Sequence, residues 1–183
     1  MIRVVELALA RKVATKTPGR RAFSLLGNAA EGGKLWVAVA ALLALGGNRG
    51  RRAAVEGLVA LAASSAVTNG PLKSVTRRRR PGYGLGRFLV PQTGRAPKSS
   101  SLPSSHAASA AAFAAAAGLA YPYAAAPLAV ASGAVAFSRV NTGRHFISDV
   151  GAGLIVGAAV GAAVHWAAGR VRPAPPATND DAS

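Results

Sequence analysis

Twelve residues, Ser138–Asp149 (SRVNTGRHFISD), place two arginines, a histidine and a carboxylate between two apolar segments. His145 and Asp149 are four residues apart, so on a helix they share one face about one turn apart. A carboxylate at that spacing holds an imidazole in one tautomer and stabilises its cation, as in a nucleophile or acid–base pair. The same spacing also serves plain surface ion pairs, and the stretch alone leaves both readings open. Arg139 and Arg144 add forked donors suited to phosphate oxygens.

Two further polar islands carry compatible chemistry. In KSVTRRRRP, Lys73 and Arg80 bracket a basic run that ends on Pro81. In PSSH, Ser104, Ser105 and His106 stand immediately before an apolar stretch. A phosphomonoester or diphosphate needs its oxygens neutralised, a task for Lys73, Arg80 and Arg139. Ser104 and Ser105 lie at a helix start, where free backbone N–H groups favour an anion and Ser104 can cap. Arg77, Arg78, Arg79 and Arg144 read as solvated or headgroup-facing charges, and His165 as a helix residue with no assigned task.

Composition limits what can position these groups. The 183 residues suffice for one domain with a substantial core. Lys and Arg number 22 against 6 Asp and Glu, a formal charge of +16 that calls for nucleic acid, anionic headgroups or a phosphorylated substrate. Aromatic residues are 5% and are not interleaved with the basic runs, which argues against a single-strand stacking platform and against a nucleic-acid partner. The absence of cysteine excludes disulfides and thiolate metal sites. With no acidic cluster either, neither a metal nor another cofactor is expected.

The chain reads as all-α, about five apolar helices preceded by a basic segment. Residues 1–34 are amphipathic and basic, an interfacial helix broken near Thr17–Gly19, and no secretory signal is apparent. Leu35–Gly47 is the first apolar run, with Trp36 placed as an interfacial anchor. Asn48–Arg52 is a tight basic loop and Ala53–Leu72 the second apolar segment. Lys73–Ser101 is a basic Gly/Pro-rich loop without periodicity. Residues 107–137 carry no formal charge, and Tyr121-Pro122-Tyr123 divides them into a hairpin of Ala107–Ala120 and Ala124–Phe137. Phe146–Ala168 is the last segment, with Gly153, Gly157 and Gly161 forming a small-residue stripe for close helix packing in lipid. A soluble alanine-rich bundle is the alternative, but most of these helices lack a charged face for solvent. The division is a basic segment over 1–34, a membrane domain over 35–169 and a disordered Pro/Ala-rich tail over 170–183.

Taken together, the three islands resemble the signature motifs of the type 2 phosphatidic acid phosphatase superfamily, KxxxxxxRP, PSGH and SRxxxxxHxxxD. Lys73 with Arg80-Pro81 fits the first, and Ser138-Arg139, His145 and Asp149 fit the third. The second departs where Ser105 replaces the usual glycine, and a serine hydroxyl can still donate. The resemblance spans roughly Leu35–Ala168 and implies a helical membrane bundle acting on a phosphorylated lipid. It further implies that His145 attacks phosphorus to form a phosphohistidine, that Asp149 orients it and that His106 protonates the leaving oxygen.

The short Ala/Arg-rich chain is similar to actinobacterial members of that superfamily, including phosphatases of decaprenylphosphoryl-5-phosphoribose in cell-wall precursor synthesis. Undecaprenyl or decaprenyl diphosphate, phosphatidic acid and phosphatidylglycerol phosphate are alternative substrates. Vanadium haloperoxidases share the motifs but are much larger and soluble, and a non-enzymatic basic membrane binder would leave the histidine spacings unexplained. With five spans, 17 of the Lys and Arg residues fall on the face that carries the motifs and 5 on the other. The positive-inside rule then puts the active site of this multi-pass membrane protein on the cytoplasmic side.

Overall fold

The computed structural model describes residues 2–81, 90–91 and 99–171, and among them all regular structure is helical. Helix α1 (Ile2–Lys16) and α2 (Arg20–Ala29) are followed by α3 (Lys34–Ala44) and α4 (Gly47–Val67). A π-helical turn, Thr68–Leu72, leads into the short α5 (Lys73–Thr76). The bundle is completed by α6 (Ser105–Ala120), α7 (Ala125–Asn141) and α8 (Ile147–Arg170). The N-terminal segment breaks at Thr17–Gly19 as its turn residues predict, with Gly19 at φ 79°, a value glycine reaches without strain.

Helix α6 is the centre of the bundle, packed against α4, α7 and α8. Its alanines fit that position: Ala107, Ala110, Ala112, Ala116 and Ala117 are fully buried. Side chains this small let neighbouring backbones approach closely. Facing them, α8 presents the glycine stripe. A Cβ on Gly153 would lie 2.6 Å from the Ser104 carbonyl oxygen, on Gly157 2.0 Å from that of Ala108, and on Gly161 2.4 Å from that of Ala112. The two helices are therefore locked in a four-residue register, Ser104/Gly153, Ala108/Gly157, Ala112/Gly161. Larger side chains fill the opposite side of the core, where Trp36 and Phe113 lie 5.0 Å apart between centroids.

Three expectations are corrected. Trp36 is buried at 2% exposure, because its indole fills the core against Phe113 instead of anchoring an interface. Asn48–Arg52 is the opening of α4, not a loop. The turn is made by Leu45 and Gly46, and Gly50 lets the new helix run against the Leu43 carbonyl, which a Cβ would meet at 1.9 Å. The Lys73–Ser101 stretch begins with the helical turn of α5, and residues 82–89 and 92–98 lie outside the described residues, as does most of the expected tail.

The hairpin forms where Tyr121-Pro122-Tyr123 predicts it, with a 3-10 turn at Pro122–Ala124, and α7 continues past Phe137 to Asn141. Among the described residues two helical stretches are long and apolar enough to cross a membrane, Pro122–Asn141 and Ile147–Arg170. At 24 residues the latter reaches about 36 Å, and it exposes Ile155 and Trp166 on its outer face. Helix α6 has 16 residues and α3 has 11, short of the usual span, and α4 opens on three arginines.

The glycine register yields a direct test. Gly157→Ala should cost about 1–3 kcal/mol by overpacking and lower the detergent-solubilised Tm by about 2–12 °C. Gly151→Ala, on the same helix but with nothing within 4 Å of its Cβ, should be neutral or stabilising by up to about 1 kcal/mol. Equal melting temperatures for the two variants would contradict the close contact.

Candidate active site

The three polar islands converge at one end of the bundle, where α5, the start of α6, the end of α7 and the start of α8 meet. Helix α6 begins at Ser104, which is fully buried and caps it by accepting from the Ala107 N–H at 3.5 Å. The Ser104 N–H donates to the Asp149 carbonyl at 3.0 Å, joining the PSSH segment to the first turn of α8. Asp149 is wholly buried, and its Oδ2 accepts from the Phe146 N–H at 2.9 Å, closing that helix start. Its negative charge also sits favourably at the helix N-terminus.

His145 is buried in the loop between α7 and α8. Its Nδ1 stands 2.8 Å from the Ser101 carbonyl and its Nε2 2.9 Å from Arg80 Nη1. A carbonyl only accepts and a guanidinium only donates, so the ring is the neutral tautomer with its proton on Nδ1. The lone pair on Nε2 thus faces Arg80. Asp149 Oδ2 lies 3.6 Å from Nδ1, outside hydrogen-bond distance and within electrostatic reach. Burial pushes the imidazole down to about 4, against the opposing influence of Asp149 and with added repulsion from Arg80.

Arg80 is 5% exposed and is positioned by backbone carbonyls, donating to Ser99 at 3.2 Å, Ser100 at 3.3 Å and Arg144 at 3.0 Å. Lys73 Nζ donates to Ser105 Oγ at 3.1 Å and to Asn69 Oδ1 at 2.7 Å. Burial and the nearby Arg80 bring its ammonium down to about 8. Arg139 is 2% exposed, with one guanidinium nitrogen on the Gly27 carbonyl and, among the described residues, no hydrogen-bond partner for Nε. His106, on the first turn of α6, lies within electrostatic reach of Arg139, His145, Arg144 and Lys73. All eight residues singled out by spacing therefore share one neighbourhood, although the Ser104 hydroxyl is occupied as a cap.

The sequence reading missed the support around them. Arg78 is no solvated charge. Its Nη1 donates to Asp149 Oδ1 at 2.8 Å and to Ser148 Oγ at 2.7 Å, its Nη2 binds Glu6 of α1, and the guanidinium sits 4.5 Å over the Phe146 ring. Glu6 also takes the Ser148 hydroxyl. Arg144 is likewise paired, with Glu31 at 2.6 Å. At the opposite end of α8, His165 Nδ1 lies 2.7 Å from Glu56, which also accepts from Arg52 at 2.5 Å. Nothing in the sequence marked Ser101, because its role is played by a backbone carbonyl. Glu6 and Glu31, the two acidic residues of the basic segment, were the legible clue.

A buried imidazole with its lone pair on a guanidinium, ringed by further cations, can do nucleophilic chemistry on an anion such as phosphate. Among the described residues the fold is an all-helical bundle. It superimposes with a TM-score of 0.71 on the crystal structure of the first transmembrane PAP2 type phosphatidylglycerolphosphate phosphatase from Bacillus subtilis, covering 93% of this chain and 88% of that one at 17% identity. The family model of the PAP2 superfamily matches residues 53–173, so the chain belongs to that superfamily and is a PAP2-type phosphatase. No curated protein matches it.

The lowered Lys73 pKa has a kinetic consequence. If the ammonium binds phosphate, kcat/KM should fall as pH rises through about 8, when the free enzyme loses that charge. Lys73→Arg should move this limb upward by more than about two pH units, since a guanidinium keeps its proton. A basic limb at the same pH in both proteins would separate Lys73 from phosphate binding.

Proposed function

We propose that this protein is a membrane lipid phosphatase that works through a phosphohistidine on His145. The observation that carries the reading is the placement of the His145 Nε2 lone pair against Arg80, with Nδ1–H tied to the Ser101 carbonyl. Lys73, Arg80 and Arg139 neutralise the phosphate oxygens, and the Ser105 hydroxyl together with the N–H groups at the start of α6 add donors. Nε2 attacks phosphorus. The bond to the leaving oxygen breaks with its electron pair, and His106 supplies the proton that oxygen needs. His106 then takes a proton from water as it attacks the phosphohistidine, releasing inorganic phosphate and restoring neutral His145. Asp149, at 3.6 Å from Nδ1, stabilises the cationic imidazole that phosphorylation creates. The scheme calls on no metal and no other cofactor.

The substrate we favour is a polyprenyl-linked phosphomonoester, with decaprenylphosphoryl-5-phosphoribose the best match to so short and arginine-rich a chain. Phosphatidylglycerol phosphate fits equally well, since it is the compound named for the similar Bacillus subtilis enzyme. Polyprenyl diphosphates and phosphatidic acid present the same anionic group at the bilayer surface. We place residues 35–169 in a multi-pass membrane domain of about five helices and the site on the cytoplasmic side, on the strength of the basic residues around it. Residues 1–34 belong functionally to that site, supported by the Glu6–Arg78 and Arg144–Glu31 pairs.

Phosphate release from these lipids, measured in sealed vesicles of both orientations, tests the reading. Activity should appear in inside-out vesicles and fall at least about a thousandfold in His145→Ala and about a hundredfold or more in His106→Ala. Undiminished turnover in His145→Ala would refute the nucleophile, and activity confined to right-side-out vesicles would refute the cytoplasmic placement.

A further inference from the structure

A cavity of about 420 Å³ opens beside His106, between α6, the inner half of α4 and the segment that joins α2 to α3. Its walls are of two kinds. Ser65 on α4 and Asn69 in the π-helical turn that follows it are four residues apart, and Ser105 and Ser109 stand one turn apart on α6, so two ladders of small polar groups face the same space. Trp36 and several aliphatic residues make up the remainder. Asn69 links the cavity to the phosphate site, because its Oδ1 holds Lys73 Nζ while its Nδ2 donates to Ser65 Oγ at 3.1 Å. Ser109 makes no side-chain hydrogen bond among the described residues.

The Asn69 amide is satisfied by Lys73 and Ser65, so what the cavity offers a guest is the Ser65 and Ser109 hydroxyls. Such groups cost free energy unless water or a ligand satisfies them. Within the reading of His106 as the acid, this cavity holds whatever leaves when the bond to phosphorus breaks. We infer that it is a leaving-group subsite for a hydroxylated headgroup, a polyol or sugar placed between the phosphate and the lipid chain. Its hydroxyls would meet Ser65 and Ser109, and its C–H surface the wall that includes Trp36. A space of about 420 Å³ corresponds to about fourteen waters, room for a unit of glycerol or pentose size. A bare prenyl or diacylglycerol leaving group would cover the Ser65 and Ser109 hydroxyls without accepting from them, so the same walls select against it.

The test compares phosphatidylglycerol phosphate, whose leaving group is phosphatidylglycerol departing through an oxygen of its headgroup glycerol, and phosphatidic acid, whose leaving group is diacylglycerol. Both are presented to the full-length protein in the same mixed micelles. Wild-type kcat/KM should favour the hydroxylated substrate by at least about tenfold, and the double variant Ser65→Ala/Ser109→Val should reduce that ratio at least about fivefold. A wild-type ratio near one, or loss of equal size on both substrates in the variant, would overturn the subsite. A variant that fails to fold is recognised by its Tm, and Ser109→Ala alone, expected to lower the ratio about two- to threefold, then decides the matter. Phosphate release from both substrates that persists in His106→Ala would instead overturn the role of His106 on which the inference rests.

Discussion

A close backbone approach between two helices, α6 and α8, sets the geometry of the candidate site. Gly153, Gly157 and Gly161 allow α8 to lie directly on the carbonyls of Ser104, Ala108 and Ala112 of α6. Because those contacts are backbone on backbone, they fix both the distance between the helices and their register. Side chains cannot buffer a shift. Two helix starts are thereby held side by side, and the Ser104 N–H reaches the Asp149 carbonyl. The PSSH segment and the His145–Asp149 segment, some forty residues apart in the chain, become neighbours through a stripe with no chemistry of its own. Van der Waals packing of this kind suits helices in lipid, where burial of apolar surface supplies little driving force.

A second constraint is the cost of gathering cations. Arg80, Arg139 and Lys73 are drawn together at one end of a chain of charge +16, and two of them are almost wholly buried. Backbone carbonyls hold the guanidinium of Arg80 in place, and Gly27 that of Arg139, which orients them while adding no full negative charge. The positive potential is left available for an anion. Asp149 meets this differently. It takes Arg78 on one oxygen and the Phe146 N–H on the other, and acts on His145 across 3.6 Å as a charge. Glu6 completes the chain of contacts from α1, so the N-terminal helix bears on the residue that faces the proposed nucleophile.

Much of this was legible in the residue spacings. The motif residues were found because phosphate chemistry requires particular side chains, and side chains are what a sequence records. The glycine stripe and the Tyr-Pro-Tyr turn were visible for the same reason. Ser101 was not, because a carbonyl acceptor is common to every residue. Arg78 looked like one member of a basic run, and its partners Glu6 and Asp149 lie 72 and 71 residues away. Trp36 was misplaced because an aromatic near the end of an apolar run fits an interface and a core equally well, and only the position of Phe113 decides between them. The five-span expectation counted apolar runs, and of these two helical stretches among the described residues, Pro122–Asn141 and Ile147–Arg170, are long and apolar enough to cross a membrane.

The central claim is covalent, and the most direct measurement of it is to trap the intermediate. Protein turning over a radiolabelled lipid phosphate, quenched in alkali where a phosphoramidate survives and mapped by peptide mass spectrometry, should carry phosphate on His145. The label should disappear on brief acid treatment and be absent in His145→Ala. Phosphate found on a different residue, or steady turnover with no label on the chain, would contradict the account.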